Sequence, residues 1–125
     1  MHKKVNFRSN RLASEIKRVL SEYLLVESFD GEEIDPKQIL ITEVVVSPDL
    51  RYAKIFVEHL RDHQLNDLCV EFMEKYHGKL RHHIAESIPL RYVPEIAIHE
   101  DTSEVYAANI DRLIKIANQR TSETE

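Results

Sequence analysis

Apolar residues first recur with a helical step at Leu12, Ile16, Val19, Leu20, Tyr23 and Leu24. These positions share one face of an α-helix from about Asn10 to Glu27, with Ser9 or Asn10 placed to cap it. Burying six such side chains is worth on the order of 10 kcal/mol, which assigns the stripe to the core. Arg8, Arg11, Glu15 and Arg18 follow the same period on another face and are left in solvent.

The periodicity stops between Val26 and Lys37, where Asp30-Gly31-Glu32-Glu33 and Asp35-Pro36 signal a loop. Two β-branched runs follow, Ile39 to Val46 and Tyr52 to Leu60, joined by Ser47-Pro48-Asp49-Leu50-Arg51; together they predict an antiparallel hairpin. In the second run Ala53, Ile55 and Val57 should meet the helices. Tyr52, Lys54, Phe56 and Glu58 share the outer face, where the rings could touch a base or pack on a neighbouring strand. Leu65, Leu68, Cys69, Phe72, Met73 and Tyr76 mark a second helix, with Cys69 inside its stripe as a small core residue. Gly78 interrupts that pattern, which resumes with Leu80, Ile84, Ala85 and Ile88 until Pro89. A glycine there calls for a kink or a close contact. Lys79 and Arg81 follow it directly, and a helix restarted there would offer free N–H groups to a phosphate. Glu95 to Glu100 reads as a short strand. A last helix should carry Tyr106, Ile110, Leu113, Ile114 and Ala117, opened by Asp101 and Glu104. The fold class is α+β, a single domain over residues 1–120 with a frayed tail at 121–125.

Charge changes this picture. The net charge is -5, yet residues 1–18 set six cations against Glu15 alone, and residues 75–92 set Lys75, Lys79, Arg81 and Arg91 against Glu86. Two basic islands in an acidic chain raise nucleic acid as a partner, because one face could meet phosphate. The cations of the first helix and of the glycine break would need to lie on one continuous side. Other chemistries are set aside. With two glycines in 125 residues there is no Gly-rich phosphate loop, and with one cysteine there is no disulfide or multi-Cys metal site. The histidines lack metal-ligand spacing, whether His59 and His63 or the adjacent pair His82 and His83, so no metal and no cofactor are expected. His77, His82 and His83 would instead supplement the basic face at lower pH. An enzyme is not expected. No apolar run reaches a membrane span, and no signal peptide is seen at the N-terminus, so a soluble cytoplasmic protein is expected.

The order helix, hairpin, two helices, strand is that of a type II KH domain. Arg8 to Ile16, Val46 to Val57, Leu90-Arg91-Tyr92-Val93-Pro94-Glu95-Ile96, Asp101-Thr102-Ser103 and Asp35-Pro36-Lys37 resemble the ribosome-binding factor A family over about residues 5 to 115. The resemblance implies a cold-shock-associated bacterial factor that binds the small (30S) ribosomal subunit and its 16S rRNA and assists late maturation of that RNA. It also implies a KH fold without a GxxG loop, whose interrupted helix is marked by alanine–any–glycine. Here that site reads Tyr76-His77-Gly78, so the glycine matches and the alanine does not. Arg8, Arg11, Arg18, Lys79 and Arg81 are the expected phosphate contacts, with Arg51 and Lys54 behind them. The protein is expected to act as a monomer, with no membrane and no small-molecule substrate. The alternative is a KH-like adaptor whose basic face meets an acidic protein partner.

Overall fold

A computed structural model describes residues 7–102. Within them the chain runs α1 (Phe7–Val26), β1 (Ile39–Val46), β2 (Tyr52–His59), α2 (Asn66–Lys75), α3 (His77–Ser87) and β3 (Glu95–Glu100), with 3-10 turns at Pro36–Gln38 and His63–Leu65. This is the α+β order read from the sequence. The expected last helix and the 121–125 tail lie outside the described residues.

The stripe of α1 is buried throughout, from Leu12 to Leu24. The helix begins earlier than the apolar spacing indicates, at Phe7, so Ser9 and Asn10 are interior residues and neither caps it. Ser9 sits one turn before Leu12 on the same face and is itself buried.

The sheet has the order β1-β2-β3, with β1 antiparallel and β3 parallel to β2. Ala53, Ile55 and Val57, with Ile96 and Ile98 of β3, are buried in the core with α1, α2 and α3. In β1 the buried set changes phase, from Ile39 and Ile41 to Val44 and Val46. A β-bulge is the cause: the register passes from Ile41↔Val57 to Glu43↔Phe56, leaving Thr42 as the extra residue. The Thr42 hydroxyl bonds the Asp101 carboxylate and lies 3.2 Å from the Phe56 carbonyl, while its own carbonyl accepts from Lys17 Nζ at 3.1 Å. One irregular residue thus ties α1 and the far end of β3 to the hairpin.

On the outer face Phe56 stacks on His99 of β3, ring centroids 5.4 Å apart, whereas Tyr52 and Lys54 are exposed. Glu58, expected outside with them, is buried. The chain turns back across the end of β2, bringing His63 Nδ1 to 3.7 Å from the Glu58 carboxylate.

Of the three residues expected at the kink, Tyr76, His77 and Gly78, the break between α2 and α3 falls on Tyr76, and the other two belong to α3. Tyr76 alone leaves the helix, at φ -99° and ψ 18°, yet its N–H bonds Phe72 O and its carbonyl accepts from Leu80 N. Its ring is wedged against Phe72 and Phe29, centroids 4.7 and 4.8 Å away, and its hydroxyl donates to Glu32. Gly78 lies in the first turn of α3 without a positive φ, and nothing comes within 4 Å of where a Cβ would stand. Neither reason for a helical glycine applies to it.

Candidate nucleic-acid interface

α1 sets Arg8, Arg11 and Arg18 in solvent on its outer side. Arg11 lies 3.5 Å from Glu15 and Arg18 3.5 Å from Glu22, one helical turn on in each case. Exposed pairs of this kind are weak and leave the cations available to a stronger anion.

The second basic island does not stay together. Lys75 reaches Glu32 at 2.6 Å, and Lys79 lies 3.7 Å from Glu27 and 5.0 Å from the centre of the Phe29 ring. Both carboxylates belong to residues 27–35, which carry five acidic side chains and no cation. Lys79 therefore sits beside the end of α1, about 28 Å along the helix axis from Arg8. Arg81 donates from Nε to the Pro94 carbonyl and from Nη2 to the Val93 carbonyl, both at 3.0 Å, with Glu95 at 3.5 Å. Its guanidinium ties α3 to the start of β3. The helix restart offers no phosphate cradle either: the break is one residue wide, so the negative carboxyl end of α2 abuts the positive amino end of α3. The cations of α1 and those of the break do not form one continuous side.

A different group does converge. Arg8, Arg51 and Arg91, from three distant segments, line one open cleft of about 330 Å³ walled by Leu50, Pro89, Leu90 and Tyr92. Local chemistry holds each segment. In the hairpin link Leu50 takes the left-handed conformation at φ 63°. The Asp49 carboxylate, also in the cleft wall, accepts from the Ser47 hydroxyl at 2.6 Å and from the Arg51 N–H at 3.1 Å. Those bonds, the hydroxyl's first, hold Asp49 below its ordinary pKa, so it stays ionised and committed to the turn. The Glu95 N–H bonds the Arg51 carbonyl at 2.8 Å, joining the link to the chain entering β3, and Arg81 clamps the same stretch from behind. Arg81, expected to touch phosphate, thus positions the loop that carries Arg91.

Aromatic rings surround this end. Tyr92 is 71% exposed, Tyr52 60% and Phe7 79%, and the Arg91 guanidinium lies 5.6 Å from the Tyr92 ring centre. Arg91 belongs to the second basic island and Arg91-Tyr92 to the family-like stretch in the sequence, but neither is among the RNA contacts expected from it. The available signal was a basic–aromatic pair in a short loop bounded by Pro89 and Pro94. Lys54 lies on the open sheet face, apart from the cleft lining.

Other chemistry is weakly provided for. Among the described residues no group of three or more His, Cys, Asp or Glu could hold a metal ion, and no helix is long and apolar enough to cross a membrane. His82 pairs with Glu86 at 2.7 Å, His83 stacks on Tyr23 at 4.0 Å, and the His59 ring accepts from the Arg61 and Asp62 N–H groups. Cys69 is fully buried, and burial pushes its thiol up to about 11, far from a reactive thiolate at neutral pH.

Comparison with known proteins gives this geometry a context. The family model for ribosome-binding factor A matches residues 8–114. Ribosome-binding factor A of Kosmotoga olearia is 37% identical over 120 residues, covering 95% of this chain and 94% of that one. The Caldanaerobacter subterraneus subsp. tengcongensis protein of the same name is 34% identical over 122 residues, covering 94% and 95%. A solution structure from Thermotoga maritima superposes with a TM-score of 0.64 at 28% identity, covering 82% of this chain and 94% of that one. A homology model of the Thermus thermophilus factor, fitted into a cryo-EM map of a 30S complex, gives 0.54 at 16% identity, covering 72% and 91%, a likeness of fold. Sequence, length and architecture agree, and this chain belongs to the ribosome-binding factor A family.

Proposed function

We propose that this chain binds the small ribosomal subunit through 16S rRNA and assists late maturation of that RNA by occupying its surface, without chemistry of its own. A relative of the same fold has been fitted into a 30S complex, and the same kind of partner suits this surface. The observation that carries the reading is the convergence of Arg8, Arg51 and Arg91 on one open cleft. Arg11 and Arg18 extend the cationic surface along α1, and Lys54 adds a charge on the open sheet face. Lys79 and Arg81 serve the fold. The frame is type II KH-like, completed by the C-terminal helix read from the sequence, and the protein acts as a cytoplasmic monomer. Phosphate contacts fix position and read no sequence, so recognition rests on the shape of the folded RNA.

The test is RNA affinity against salt. Contacts to three phosphates give a log–log slope of about -2 to -3, at roughly 0.7–0.9 per phosphate. Arg51→Gln with Arg91→Gln should flatten that slope by about 1.5 while leaving the unfolding midpoint in place. A slope near zero in the unsubstituted protein overturns the reading and favours an acidic protein partner.

A further inference from the structure

The cleft has more in it than charge. Its volume, about 330 Å³, lies near the lower end of pockets that hold small ligands, roughly 300–1,000 Å³. That is room for one nucleotide and too little for a helix of paired bases. Tyr92 leaves most of its ring in solvent at the edge of this space, although the core lies close by. The neighbouring Arg91 guanidinium lies near the same ring, where it supports a stacked base by cation–π attraction. Arg8 and Arg51 enter from the other two segments and bring guanidinium donors suited to a phosphate, with the Asp49 carboxylate, already committed to the turn, also in the wall. The loop bearing Tyr92 is held by the two Arg81 hydrogen bonds and bounded by Pro89 and Pro94. The platform is therefore held in place before any ligand arrives.

We infer that this cleft takes one unpaired nucleotide of an RNA strand, its base stacked on Tyr92 and its phosphate between Arg8 and Arg51. The inference rests on the RNA reading above and sharpens it. Phosphate contacts alone do not distinguish duplex from single strand, because both present the same charge. A ring can stack only on a base that has left its own helix. The chain then favours RNA whose local pairing is open, which is what an incompletely folded segment presents.

The experiment measures binding of the full chain to an unstructured ten-nucleotide RNA and to a duplex of matched charge, with adenosine monophosphate as a competitor. Tyr92 is exposed, so Tyr92→Ala and Tyr92→Phe should fold as the parent does. Tyr92→Ala should weaken single-strand binding about 10-fold and leave duplex binding within about twofold, and Tyr92→Phe should restore it. If Tyr92→Ala changes neither while Arg51→Glu with Arg91→Glu weakens both, the nucleotide pocket is wrong and the RNA reading survives. If the arginine reversals change nothing, both fail. Displacement of the strand by micromolar adenosine monophosphate would make a free nucleotide the ligand and overturn the assignment to RNA.

Discussion

Glu32 accepts from the Lys75 ammonium at 2.6 Å and from the Tyr76 hydroxyl, both beside the helix break. The Lys75 bond first, then that of Tyr76, holds the Glu32 carboxyl below its ordinary value of 4.5, and in return Glu32 raises Lys75 above 10.5. A depressed carboxylate stabilises the fold above its unfolded-state value and loses that contribution as the pH falls through the folded-state one. A raised ammonium contributes below its unfolded-state value and loses it as the pH rises through the folded-state one. The pair thus works across the neutral range and fades at both ends. Glu32→Gln should lower the urea midpoint at neutral pH, and the gap from the parent should close in acid, as the pH falls below the ordinary carboxylate range. A gap of unchanged size in acid would mean that shape, not charge, made the difference. This ion pair also explains why the cationic site was only partly legible in the sequence. The spacing of Arg8, Arg11 and Arg18 correctly read them as solvent-facing, because helical period decides exposure locally. Lys75, Lys79 and Arg81 could not be sorted that way. Their partners, Glu32, Glu27 and the Val93 and Pro94 carbonyls, lie 12 to 52 residues away along the chain and meet them only through tertiary packing.

The elements themselves were largely legible, and the exceptions have local causes. Burial of Leu12 through Leu24 follows from their spacing, and so does burial of Ala53, Ile55 and Val57. The phase change in β1 was invisible because Thr42 looks like any strand residue until the register with β2 is known. The sequence places the helix break within Tyr76-His77-Gly78 and points to the glycine, the better-known helix breaker, as its cause. An aromatic cluster on Tyr76 makes the turn instead, with Phe29 reaching in from the acidic loop. This difference is measurable. Gly78 has no positive φ and no neighbour to meet a new Cβ, so alanine should simply improve helix propensity. Gly78→Ala should raise stability by about 0.5 kcal/mol in urea unfolding, with the break intact. Destabilisation of about 1 kcal/mol or more would return the hinge to the glycine.

At the scale of the whole molecule, folding turns a mixed charge sequence into a polar object. Arg8, Arg51 and Arg91 gather where the hairpin link, the start of α1 and the entry to β3 meet. The carboxylates of residues 27–35 follow the other end of α1 and draw in Lys75 and Lys79. With a net charge of -5, an RNA surface that approaches the acidic loop is repelled, whereas one that approaches the arginine end is attracted. The acidic loop would then act as an orienting device, independent of how tightly the correct face binds. Asp30 and Glu33 are suited to a test, because both are exposed and neither bonds a described lysine. Asp30→Lys with Glu33→Lys should increase binding to unrelated duplex RNA several-fold at low salt, and the gain should vanish as the Debye length shrinks to about 3 Å near 1 M. Binding to the small subunit should change much less if, as proposed, its contacts lie at the arginine end. Equal gains for both RNAs would show that net charge alone governs attraction and that the placement of the acidic loop has no orienting role.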